Sequence, residues 1–268
     1  MFTVTLGNQK GGAGKTTCTA NLAAIAGGAG LRVLAVDADP QGQLTESFAA
    51  EAMAGRSLGE LLDRSLAARP TVDQVRLHHV APGVDLLPAE ERPLERAERD
   101  MDGDPLEGLS VVRQVLAEVV DDYDLVLIDT PPRLTSLTTG PLVASDAALL
   151  VMKPQSFHFM SAKAFAAKVA QVAASPLNPG LVILGVLFNG EDAEAQETIV
   201  VERLVADAQW DLFTARVPDS RLASKATLSG RPAVLAYPNH SITAAFRAVT
   251  DELLARLAQL PELTAAGA

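Results

Sequence analysis

Residues 9–17 read Gln-Lys-Gly-Gly-Ala-Gly-Lys-Thr-Thr, directly after an apolar run of strand length, Phe2–Leu6. Gly11, Gly12 and Gly14 let the backbone turn so that its amide N–H groups converge on one point. A helix is predicted from Lys15 to about Gly28, and its free N-terminal N–H groups and dipole add to the same positive potential. Such a loop cradles phosphates. The general pattern, G-x-x-x-x-G-K-[ST], asks for glycine where Gln9 stands and is otherwise kept. Lys15 supplies a point charge to the β- and γ-phosphates of a bound nucleotide, and the Thr16 hydroxyl offers a ligand to Mg²⁺. Ala13 and Thr17 complete the nucleotide-binding run. A plain glycine turn would not need the ordered Lys and Thr.

The rest of the chain alternates strand and helix. Arg32–Val36, Val84–Leu87, Asp124–Ile128, Ala147–Met152 and Leu181–Phe188 are short apolar runs. Unbroken apolar runs mark strands buried on both faces, as in parallel sheets. Between them, Phe159, Ala162, Phe165, Ala166, Val169 and Val172 share one helical stripe, and Ile242, Ala245, Phe246, Val249, Leu253 and Leu257 share another. The expectation is an α/β fold with a doubly wound, mostly parallel sheet and helices on both faces, built as one domain over residues 1–268. The 49–103 stretch is the least regular, suited to short helices and a mobile loop. Residues 261–268 are expected to fray.

Composition removes several classes. The chain has 268 residues, 48% of them hydrophobic and 21% charged, which excludes disorder as its main state. No run of about 18 uncharged apolar residues occurs, and no secretory signal precedes the first strand. Cys18 is the one cysteine, so an internal disulfide and a cysteine-ligated metal centre within one chain are excluded. A reducing cytoplasm is the expected compartment. His78, His79, His158 and His240 show no ligand spacing and receive no role. The net charge of −11 argues against a nucleic-acid binder taken globally. It is unevenly spread: Asp85–Glu107 holds nine acids and three arginines, net −6, whereas Ala215–Val249 holds five bases and one acid, net +4. A solvated face is the plain explanation of either run.

Ligands of an open parallel sheet sit at the carboxyl ends of its strands. Two strands end there in acids: Val-Asp37-Ala-Asp39-Pro-Gln-Gly and Leu-Ile-Asp129-Thr-Pro-Pro. Asp129 caps an apolar strand and can hold Mg²⁺ through a water. Two carboxylates as close as Asp37 and Asp39 would repel a triphosphate, so one needs a separate task. Asp37 is assigned to the metal shell or to support of the loop. Asn189 ends another strand, where its amide suits the edge of adenine, although Asn-Gly is also a turn signal. Val217-Pro218 offers a second wall for the base.

With Lys10 five residues before Lys15, the motif K-G-G-x-G-K-T-T resembles the deviant Walker A of the ParA/MinD family of P-loop ATPases. DADPQG resembles that family's switch I, IDTPP its switch II, and VPDSRLASKATLSGRPAVLAYPNHSITAAFRAV its C-terminal module. The resemblance thus spans nearly the whole chain. It implies that Lys10 reaches the partner's phosphates across a nucleotide-sandwich homodimer; a solvated loop lysine is the bland alternative. It also implies that Asp39 orients the attacking water, and that Pro40, Thr130 and Pro131 belong to switches sensing the γ-phosphate. Lys10, Lys15 and Asp39 are then the catalytic group, with ATP and Mg²⁺ as cofactors. Arg221, Lys225, Arg231 and Arg247 are the candidates for sequence-independent DNA contact, with the protein nucleoid-associated. The segment departs from the family where Asp219 replaces a base.

Within this family, a chain starting at its first strand is not expected to carry an operator-binding extension. Its end, Phe246–Ala268, has two arginines, three acids and a proline, unlike a membrane-binding end. Slow ATP hydrolysis, dimerisation on ATP, non-specific DNA binding by the dimer and a ParB-like centromere-binding partner are what the resemblance implies, for a chromosome or a plasmid. A positioning ATPase for a protein cargo, or a small-molecule P-loop enzyme, are the alternatives.

Overall fold

The computed structural model describes residues 1–50, 55–191 and 196–260. The expected frayed tail, 261–268, lies outside the described residues. The strands are β1 Phe2–Gly7, β2 Val33–Asp37, β3 Leu77–Ala81, β4 Val84–Leu87, β5 Leu125–Asp129, β6 Ala147–Met152, β7 Val182–Glu191 and β8 Val217–Pro218. They form one sheet in the order β3-β4-β2-β5-β1-β6-β7-β8, parallel except for the β3–β4 pair. The helices are α1 Lys15–Gly28, α2 Gln43–Ser47, α3 Leu58–Leu62, α4 Val72–Val75, α5 Glu91–Gly103, α6 Pro105–Ala117, α7 Ser136–Ala144, α8 Ser156–Ala173, α9 Gln196–Asp207, α10 Arg221–Leu228, α11 Ala233–Ala236 and α12 Ser241–Leu257.

The central strands are apolar on both faces because both faces are covered. In β2, Val33 and Ala35 join the core under α1 and α12, while Leu34 and Val36 join the core under α3, α5 and α6. In β6, Leu149 and Val151 face the first of these cores, and Ala148, Leu150 and Met152 face a third core shared with α8. Alternate side chains of a strand point to opposite faces, so each strand serves two layers. The stripe predicted on α8 is buried at all six positions. The stripe on α12 is buried except at Ala245, which is half-exposed. Cys18 is fully buried in the core, as a small apolar side chain.

Two elements were hard to read in sequence. β3 carries exposed His78 and His79, the latter at φ 57°, and its pairing with β4 shifts register. An edge strand with a bulge loses the alternation that marks strands. α5 buries only Leu94, Ala97 and Met101 among charged neighbours. Its acidic surroundings are partly neutralised: Arg64 pairs with Asp100, Asp104 and Glu107, and Arg96 with Glu60 and Asp63. Among the described residues, no helix is long and apolar enough to cross a membrane.

Candidate nucleotide site

The strand order sets the site. β1 lies between β5 and β6, so the loop after β1 opens beside the carboxyl end of β5, where Leu6 pairs with Asp129. β2 lies on the other side of β5 and brings Asp37 into register with Asp129. Asn8 braces the loop from below: its Nδ2 donates to the Val151 carbonyl (2.9 Å) and its Oδ1 accepts from the Lys10 amide (3.0 Å). Gly14 caps α1 in the left-handed region, at φ 89°. A Cβ there would also lie 1.8 Å from Asn189 Nδ2 and would displace that amide.

The loop opens onto a cavity of about 370 Å³. Gly11, Gly12, Gly14, Lys15, Thr16 and Thr17 form its floor. Lys15 is only 6% exposed. Burial lowers the pKa of its ammonium, opposed by the carboxylates of Asp129 and Asp39. Thr16 Oγ1 donates to Asp129 Oδ2 at 2.6 Å. The other oxygen of Asp129, Oδ1, is buried without a partner among the described residues. A buried, unpartnered carboxylate oxygen beside a threonine hydroxyl fits a divalent cation that keeps most of its waters, as Mg²⁺ does. Without such a cation the carboxyl of Asp129 is pushed up to about 6, chiefly by burial.

The predicted residues separate into three groups. Asp39, Asn189 and Pro218 line the cavity, on walls that β2, β7 and β8 contribute. Asn189 Nδ2 donates to the Ala13 carbonyl (3.1 Å), which ties the far wall to the phosphate loop.

Asp37 does not face the cavity. Its Oδ2 accepts from the amide and the hydroxyl of Thr45, both at 2.8 Å, and its Oδ1 accepts from the Asp39 amide at 3.3 Å. It holds the segment carrying Asp39 to α2, as its loop-support assignment expects. Burial, then Asp129, pushes its carboxyl up to about 8. Pro40, Thr130 and Pro131 also stand behind the cavity wall, which uses Gln41, Gln43 and Pro132 from the same two segments. The Thr130 hydroxyl donates to the Leu6 carbonyl (2.8 Å).

Lys10 lies outside the cavity. Its Nζ sits 4.6 Å above the ring of Phe157, which is 65% exposed on α8.

Arg221, Lys225, Arg231 and Arg247 are all exposed and make no ion pair among the described residues. Arg221 and Lys225 are four apart on α10, which begins at the cavity: Ser220 and Ala223 line it. Arg216, also in the basic stretch, is neutralised by Glu191 and Glu202.

Sequence reasoning missed Lys153, which lines the cavity after β6. A signal was available, since Lys153 is the first polar residue past a strand's carboxyl end, as Asp37 and Asp129 end theirs.

A family model described as an AAA domain matches residues 1–183. The chain is 32% identical to the chromosome-partitioning ATPase Soj of Thermus thermophilus over 257 residues, 95% of this chain and 96% of that one. Apo McdA from Cyanothece shares the fold, with a TM-score of 0.82 over 94% of this chain and 99% of that one at 21% identity. Cobyrinic acid a,c-diamide synthase from Mycobacterium smegmatis, solved with an ATP analogue and magnesium, matches with a TM-score of 0.77. It is 27% identical, over 97% of this chain and 96% of that one. Likeness to a partitioning ATPase over the whole length, on a phosphate loop that carries a second lysine, shows that this chain belongs to the ParA/MinD family of P-loop ATPases.

Proposed function

We propose that this chain is an ATP-dependent dimerising switch that binds DNA without sequence preference in its ATP state. In this reading it acts in chromosome or plasmid segregation with a ParB-like partner. The observation that carries it is the split of the two lysines: Lys15 is buried in the phosphate floor, while Lys10 lies outside its own subunit's cavity, over the exposed ring of Phe157. A lysine so placed is free to reach the phosphates of a second copy.

The roles follow from position. Residues 11–17 hold the phosphates of ATP. Thr16 and Asp129 hold Mg²⁺, whose charge offsets that of the β- and γ-phosphates. Asp39, at the cavity edge with one oxygen held by the Gln41 amide (3.0 Å), orients the attacking water. No histidine lines the cavity among the described residues, so chemistry rests on positioning and charge, and turnover is slow. Asn189 and Pro218 flank the base. Pro40, Thr130 and Pro131 act as backing for the two switch segments rather than as direct contacts. Arg221, Lys225, Arg231 and Arg247 supply the DNA face, and α10 couples it to the nucleotide because it starts at the cavity wall.

The test is binding of unrelated duplexes by the purified protein with ATP and with ADP, at two salt concentrations. The reading expects binding with ATP only, weakened by salt, and persistent ATP-bound dimers in Asp39→Ala. The likeness to cobyrinic acid a,c-diamide synthase favours a second reading, a small-molecule enzyme. Nucleotide binding with no DNA binding in either state would favour that reading.

A further inference from the structure

We infer that Lys153 is a second cation acting within the subunit on the phosphates of the bound nucleotide, alongside Lys15. The inference rests on the nucleotide reading of the cavity. Lys153 follows β6, which lies between β1 with its phosphate loop and β7 with Asn189. It is half-buried, lines the cavity and makes no ion pair among the described residues. Its stem lies beside Gly190. A Cβ on Gly190 would sit 3.5 Å from Lys153 Cε, and the backbone there is in the left-handed region (φ 77°). The Lys153 stem therefore lies beside the end of β7, on the cavity wall it shares with Gly190 and Asp219, whose Oδ1 is 3.7 Å from the same Cβ position.

The electrostatics agree with this placement. His158 is buried at the start of α8, its Nδ1 without a partner among the described residues. Burial and the charges of Lys153, Lys10 and Lys15 all favour its neutral form. Three ammonium groups thus converge on one end of the sheet. Lys10 is turned out over Phe157, which leaves Lys15 and Lys153 on the cavity side. A triphosphate brings more negative charge than Lys15 and one divalent cation remove, and Asp39, Asp129 and Asp219 add to the excess. An ammonium is a strongly hydrated point charge, suited to phosphate oxygens rather than to a base.

The test compares wild type, Lys153→Met and Lys153→Arg by calorimetric titration with ADP and by competition with adenosine, at low and high salt. Lys153→Met is expected to weaken ADP about tenfold and flatten its salt dependence, with adenosine unchanged. Lys153→Arg should recover most of the loss, which a packing role would not predict. ADP affinity equal to wild type in Lys153→Met would overturn the inference. So would an equal loss of ADP and adenosine, since the contact would not be to phosphate. Failure of wild type itself to bind ADP would instead overturn the nucleotide reading beneath it.

Discussion

Lys15 is 6% exposed and flanked by carboxylates, and Thr16 is bonded to Asp129, whereas Arg221 and Lys225 stand in solvent on a helix that begins at the same cavity. The phosphate loop is a place where each residue type is forced. Gly14 has no room for a side chain, Lys15 is buried among acids, and Asn8 bonds backbone on both sides. The basic segment is a place where charge is permitted rather than required. Its arginines satisfy no partner among the described residues, except Arg216, which pairs with Glu191 and Glu202. The first region is therefore specified by the fold, whereas the ion pairs of the described residues do not require the charges of the second.

The contrast can be broken at its strongest point first. Lys15→Ala removes the charge on the phosphate floor and leaves Asp129 buried beside Thr16 alone. Nucleotide affinity measured by titration should fall by at least about 100-fold, as expected when a buried charge-assisted contact to phosphate is lost. Unchanged affinity would remove Lys15 from the phosphate site.

The double change Arg221→Glu and Lys225→Glu probes the other region. DNA affinity with ATP should fall by more than about tenfold at low salt, each lost phosphate contact lowering the salt slope by about 0.9. ATP affinity should stay within about twofold, since neither side chain is part of the cavity wall. Intact DNA binding would move that surface elsewhere on the molecule.

The smallest effect concerns pH. Asp37 titrates near 8 in the folded chain against 3.8 for a free carboxyl, and Asp129 near 6. Between these values the folded state holds protons that the unfolded state has released. The stability they contribute is thus fully present below about pH 4 and declines as pH rises toward 8. Asp37→Asn should make the fall in melting temperature of the nucleotide-free protein between pH 5 and 8 shallower than in wild type. Identical slopes in the two proteins would show that Asp37 does not carry the proton.

The C-terminal ends of the strands show how far reading in one dimension reached. The glycine loop, Asp39 and Asp129 were legible because each depends on a local pattern: a strand, a turn and a polar residue at its end. Asp37 was legible as a carboxylate with two readings, metal shell or loop support, and its spacing did not choose between them. Its partner Thr45 is eight residues away on α2, and a spacing cannot show which way a side chain turns. Thr130 and Pro131 were found with their segment, yet the residue on the cavity wall is Pro132. The bulged edge strand β3 was lost because it does not keep the periodicity on which such readings depend, and the charged helix α5 was legible only within a stretch suited to short helices.

By itself, the sequence determined a parallel α/β core, a phosphate loop and two acidic strand ends, because glycine freedom, two-faced burial and strand termination are local demands on residue type. Only the tertiary structure decided that β5 lies between β1 and β2, which brings Asp37 into register with Asp129 beside the loop. It also decided that Lys10 leaves the cavity for Phe157 while Lys153 enters it. Strand order and side-chain direction arise from contacts between segments far apart in the chain, and no local pattern encodes them.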